Sequence, residues 1–187
     1  MHRLFVALRP PPAIRALLCE AMSGVRHARW QGDDQLHITL RYIGEVDRPV
    51  AEDIALALGQ VRAPAPQIAV AGVGAFDKSG RVDALWAGIA PHEELARLHK
   101  KIDQVLVRAG LDPERRAYLP HITLARLPRS AGIDPAIDQW RARNAALTSP
   151  AFTCDAMVLY ESHLGSDGPA YEPIARWQLD TSSSPRP

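Results

Sequence analysis

Cysteine is nearly absent from this 187-residue chain, and the two present, Cys19 and Cys154, lie far apart. That spacing argues against a disulfide framework and against a C-x-x-C redox or zinc site, and leaves two reduced structural thiols. Lysine is as scarce, 3 residues against 19 arginines; with the wealth of Ala and Pro this reads as the mark of a GC-rich bacterial genome. Neither sign of charge prevails: 22 Lys and Arg against 21 Asp and Glu leave a net +1, so no broad basic surface for duplex nucleic acid is advertised and any anion site must be local. No apolar run approaches the roughly eighteen residues of a membrane helix. The start, Met1-His2-Arg3 and a short apolar stretch before Pro10-Pro11-Pro12, has neither the length nor the cleavage pattern of a signal peptide. A cytoplasmic protein is expected. A Gly-x-Ser-x-Gly elbow is missing as well, and neither cysteine has a catalytic context.

What the chain does have is one tetrapeptide twice. His37-Ile38-Thr39-Leu40 returns as His121-Ile122-Thr123-Leu124. Composition alone predicts roughly 0.01 such His-aliphatic-Thr-aliphatic runs per chain. If each run is a strand, its period of two sets His and Thr on one face and the aliphatic pair on the other. The same parity puts Arg41 on the face of His37 and Thr39, where it either reaches a nucleotide phosphate or stands on a solvated rim.

An apolar content of 47% is enough for a core, and one unit over 1–180 is expected, with 181–187 a disordered tail. RLFVAL at 3–8 reads as a strand, 12–23 as a helix opened by Pro12, 36–43 as the first motif strand and 48–61 as a second helix. Strands at 68–76 and 82–89 flank the turn Asp77-Lys78-Ser79-Gly80. A helix runs from Pro91 to about Ala109, and the second motif strand comes after Pro120. A weakly patterned helix at 134–146 and a hairpin of 152–160 with 171–179, turning at 165–169, complete an α+β order with a hint of half-chain duplication. Helices would cover one side of the sheet and leave the His/Thr face as a groove. Phe5, Tyr42 and Trp86 are read as core aromatics, and His92 and His99 as solvated helix residues.

Two imidazoles across a cleft suit concerted general acid and base work, one neutral to take a proton and one protonated to give it. Two hydroxyls beside them suit the oxygens of an oxyanion. The reaction this fits is in-line displacement at phosphorus, where positioning and charge stabilisation supply most of the rate. Metal binding is the rival use of histidine, but neither motif brings a carboxylate or second His at ligand spacing, so no metal and no cofactor is expected.

The paired motifs resemble the signature of the two-histidine phosphoesterase superfamily. Five blocks narrow the likeness to its RNA 2',3'-cyclic phosphodiesterase (ThpR, LigT-like) branch: RLFVAL at 3–8, LHITLRYIGEV at 36–46, GAFDKSGRVDALWAGI at 74–89, YLPHITLARL at 118–127 and LYESHLGSDGPAYEPIARWQL at 159–179. The resemblance implies a bilobal α+β fold, two antiparallel-sheet lobes with outer helices around a central groove. It also implies a metal-independent enzyme that hydrolyses 2',3'-cyclic phosphates at RNA ends, or on a nucleoside, to 2'-phosphomonoesters; a monomer is expected. By position, His37 would be the general acid on the leaving 3' oxygen and His121 the general base that activates water. Thr39 and Thr123 would hold non-bridging oxygens, and Arg126 matches an arginine near the phosphate. The reverse reaction, 2'-5' ligation of tRNA halves, and a non-catalytic nucleotide-binding module are the alternatives.

Overall fold

A computed structural model describes residues 1–165 and 168–181; the turn expected at 165–169 lies partly, and the tail expected at 181–187 almost wholly, outside the described residues. The first strand, β1 (His2–Leu8), sends Leu4, Val6 and Leu8 into the main core and Phe5 and Ala7 into a small cluster on its other face. Pro11 and Pro12 start α1 (Pro12–Glu20), where the missing proline N–H would have had no helical partner. Next come β2 (Arg29–Trp30), a 3-10 turn at Asp33–Gln35 and the first motif strand, β3 (Ile38–Val46). The helix after it, α2 (Arg48–Leu58), is capped by Asp47, whose carboxylate accepts from the Val50 N–H at 3.1 Å.

The expected hairpin is β4 (Gln67–Asp77) with β5 (Val82–Ala90), and Ser79 and Gly80 take positive φ at its turn. The long helix α3 (His92–Arg108) buries the stripe Leu95, Leu98, Ile102 and Leu106 and stops before Gly110, whose φ of 99° suits only glycine. Then come β6 (His121–Arg126), which carries the second motif, α4 (Ala136–Arg143), β7 (Phe152–Thr153), β8 (Ala156–Gly165) and β9 (Gly168–Gln178). The strand expected over 152–160 is thus two: Phe152 pairs with β4, whereas β8 pairs with β1 and β9. The two residues of β2 are too few for periodicity to reveal.

The strands run in the order β7-β4-β5-β6-β3-β1-β8-β9, with β2 added on β6. A five-stranded half of this antiparallel sheet (β7, β4, β5, β6 and β2) meets a four-stranded half (β3, β1, β8 and β9) through a single pair among the described residues, Ile38 opposite Ile122. That bridge joins the second residue of one motif to the second residue of the other. Antiparallel register about this point is a local two-fold, which carries Thr39 toward His121 and His37 toward Thr123. Helices α2 and α3 pack on β1 and β3, on the side opposite the half-buried His and Thr residues. Ile38, Leu40, Ile122 and Leu124 are at most 1% exposed. Since each such burial is worth about 1.5–3 kcal/mol, a one-residue slip that brought these four out and the histidines in is strongly disfavoured.

Candidate active site

The alternation expected of the two motifs holds over their length: His37, Thr39, His121 and Thr123 are half-buried on the groove side, and the aliphatic residues between them are buried. The two histidines are held alike. His37 Nδ1 lies 2.6 Å from the Gln35 carbonyl oxygen and His121 Nδ1 2.8 Å from that of Leu119, each two residues back along the chain. A carbonyl only accepts, so in both rings Nδ1 carries the proton and donates, and Nε2 is left with a free lone pair. Gln35 is itself fixed: its side chain donates to the Pro169 carbonyl at 2.5 Å and accepts from the Gly32 N–H at 2.8 Å.

Past the tetrapeptide, strict alternation fails in both strands at the same place. In β3, Thr39 pairs with Ala7 and Arg41 with Val6, so Leu40 is an extra residue; in β6, Thr123 pairs with Trp86 and Ala125 with Leu85, so Leu124 is one. Each is a bulge that reverses the facing of the residues beyond it. The freed carbonyls find donors: Leu124 O accepts from the Gln31 N–H at 2.9 Å, and Leu40 O from His99 Nδ1 at 2.6 Å.

The bulge corrects two expectations. Arg41 is turned off the His37 face; only 8% exposed, it donates to Asp103 at 2.8 Å, to the carbonyls of Tyr42 and Asp112 at 2.6 Å, and to Glu114 at 3.5 Å. Its guanidinium is engaged by an internal network beside the recess of Thr39 and His121, rather than standing free on a solvated rim. Tyr42, expected in the core, is instead 48% exposed on the groove side. The same shift brings Arg126 into play, since a residue five after His121 would face away from it in an unbulged strand. Arg126 lines a cleft of about 330 Å³ with His37 and Thr39.

A second recess of about 360 Å³ is lined by Thr39, Phe76, Tyr118 and His121, and Thr39 and Tyr42 border both, which makes one continuous groove. Aromatic rings back each imidazole. His37 lies 4.9 Å from Phe5 and 5.2 Å edge-on from Tyr171, and His121 4.8 Å edge-on from Phe76, centroid to centroid. Phe5 is buried as expected, but Trp86 is half-buried and stands 6.2 Å from His121. His99, expected in solvent, stacks on Tyr118 at 4.3 Å, and Tyr118 Oη donates to Thr39 O at 3.1 Å. The pair therefore grips both carbonyls beside the β3 bulge. Helical spacing alone put His99 on an outer face; only the packing of α3 on β3 brings it to the motif.

Burial foremost, and then the nearby charges of His121 and Arg126, push His37 down to about 4 despite its bond to Gln35. Burial, then Arg126, lowers His121 as well. Both rings are neutral near pH 7 in the free protein. A depressed folded-state value means that the unfolded chain binds the proton first, so stability present above about 6.5 is lost as pH falls toward 4. At about pH 4.5, His37→Asn is expected to recover about 2 kcal/mol relative to the parent in paired denaturant melts; an unchanged difference between the two proteins across pH would overturn this.

Among the described residues, no three His, Cys, Asp or Glu side chains cluster as a metal would require. No described helix is long and apolar enough to cross a membrane. Both cysteines are free, Cys154 buried and Cys19 exposed.

Fold and groove together place the protein in a class with solved phosphoesterases of the LigT type. E. coli LigT complexed with 3'-AMP superposes with a TM-score of 0.75 at 26% identity, covering 95% of this chain and 98% of that one. The family model described as the 2'-5' RNA ligase superfamily matches residues 10–166, and the chain belongs to that family. Among curated relatives, an RNA 2',3'-cyclic phosphodiesterase of Aeropyrum pernix is 31% identical over 155 residues, 82% of this chain and 86% of its own. The E. coli protein of the same name is 26% identical over 183 residues, 95% of this chain and 97% of its own.

Proposed function

We propose that this protein hydrolyses 2',3'-cyclic phosphates at RNA ends to 2'-phosphomonoesters, with two histidines as general acid and base and without a metal. The observation that carries this reading is the matched pair of imidazoles, each locked through Nδ1 with Nε2 free, on one groove. The names of the curated relatives support the same activity. Water attacks phosphorus as His121 Nε2 takes its proton; the bond from phosphorus to the 3' oxygen breaks as His37 gives that oxygen a proton. Thr39, Thr123 and Arg126 hold the non-bridging oxygens, where charge accumulates. Two neutral rings in the free protein fit this cycle, because the phosphate anion itself stabilises the imidazolium that one of them must become. The near-symmetry of the half-sites does not distinguish donor from acceptor; that assignment comes from the family resemblance.

2'-5' ligation, which shares the family's name, would open the same cyclic phosphate with a 5' hydroxyl in place of water, and water at its bulk concentration outcompetes that nucleophile. Two free thiols fit a reducing compartment, and the protein is placed in the cytoplasm and, as part of the same proposal, as a monomer. Incubation with an oligonucleotide ending in a 2',3'-cyclic phosphate, in excess EDTA, is expected to give a terminal 2'-phosphate and no 3'-phosphate. A 3'-phosphate product would reverse the roles of the two ester oxygens. Binding without turnover would leave a nucleotide-binding module in place of an enzyme.

A further inference from the structure

On the β1 side of the cleft stands a cation to which the two-histidine mechanism gives no role. Arg3 shares the face of β1 that carries Phe5 and Ala7, and it lines the same recess as His37, Thr39 and Arg126. Its Nε is buried and has no hydrogen-bond partner among the described residues. The carboxylate it approaches, Glu45 directly across on β3, stands at 4.0 Å, beyond hydrogen-bonding reach, and is itself largely in solvent. Only the Nε is out of water: the side chain is 35% exposed and pairs loosely with Glu45, so a bound acceptor could satisfy the buried Nε and reach the solvated end of the guanidinium as well.

Position supplies the rest. Arg3 is two strand residues from Phe5, about 7 Å along β1, and the Phe5 ring lies 4.9 Å from that of His37. Arg126 and the first half-site, His37 and Thr39, line the recess together with Arg3, which pairs with Glu45 toward the far end of β3 from His37, and Phe5, Tyr42, Tyr171 and Ser162 are among its other walls. Cation, aromatic wall, cation is what a nucleoside with a phosphate on either side requires.

We propose that Arg3 is a second phosphate anchor: it binds the internucleotide phosphodiester on the 5' side of the terminal nucleoside, and so makes a strand end a better substrate than a lone cyclic nucleotide. This rests on the cyclic phosphodiesterase reading. The test compares kcat/KM on three substrates: adenosine 2',3'-cyclic phosphate, the adenylyl-adenosine dinucleotide ending in the same cyclic phosphate, and that dinucleotide with a neutral methylphosphonate linkage. A charge-assisted contact of this kind predicts a roughly 10-fold preference of the parent protein for the charged dinucleotide. Arg3→Ala should abolish the preference through KM while turning over the mononucleotide within about 2-fold of the parent, and Arg3→Lys should keep part of it. The methylphosphonate should behave in the parent as the mononucleotide does, a control that needs no variant. Equal losses on all three substrates, or no loss on any, would overturn the proposal. If the parent hydrolyses none of the three, the underlying reading fails and this inference with it; hydrolysis of all three at equal efficiency sinks the anchor alone.

Discussion

His37→Ala and His121→Ala are each expected to lower kcat/KM on a cyclic-phosphate-ended oligonucleotide by about 10³-fold, within the 10²–10⁴-fold that a positioned proton donor or acceptor supplies. Neither loss should come from unfolding. Both rings sit half-buried on the groove face, and the carbonyls of Gln35 and Leu119 that they release open toward the same groove, where water can replace the lost donor. Ile38 and Ile122, which join the two halves of the sheet, are untouched. The double variant should be little worse than the poorer single one, because the two protons move in one transition state and losing either transfer forfeits most of the gain. Steady-state kinetics beside far-UV circular dichroism and melting curves would check this. Full activity in either single variant, or a double variant worse by the product of the two losses, would refute the concerted roles.

How far the sequence could carry this site depended on distance from the tetrapeptides. His37, Thr39, His121 and Thr123 were legible because a strand of period two needs only four residues to declare its faces, and the repeat supplied them twice. Apart from β2, the strands and α-helices from β1 to α4 were legible for similar reasons: proline and glycine mark their ends, and the buried stripes recur at helical or strand spacing. Parity then misled at Arg41 and Tyr42, because a bulge inserts one residue without any turn-forming glycine or proline at Leu40 or Leu124 to betray it. The contacts that His99, Tyr118 and Phe76 make with the motifs could not be read from the sequence. These residues reach the motifs from other elements, and pairing across a sheet leaves no local trace.

The bulges also explain how a repeated tetrapeptide yields an asymmetric site. The fifth residue after each histidine is turned into the groove, and there the halves differ: Tyr42 in one, Arg126 in the other. In the proposed mechanism the repeat supplies paired proton-transfer groups, and the residue just past the bulge supplies polarity, an aromatic side chain on one side and a cation on the other. A scissile phosphate has reason to lean toward the second half and a base toward the first.

Arg126→Ala should therefore cost about 10²-fold in kcat/KM, the lower part of the range for removing one preorganised charge stabiliser. Arg126→Lys should recover only part of it, since an ammonium cannot present two parallel donors to a phosphate. The pH profile separates this role from a structural one. Burial is the main reason both imidazoles titrate low, but the Arg126 charge contributes to each. Without that charge the imidazolium forms are less disfavoured, so both values rise. The acid limb of kcat/KM, set by the requirement that the base be neutral, then moves to higher pH, and the alkaline limb shifts in the same direction. A merely structural arginine would lower activity and leave both limbs where they were. Rates measured from about pH 4 to 9 on one cyclic-phosphate substrate decide between the two, and a fall in kcat/KM with unmoved limbs would place Arg126 outside the reacting centre.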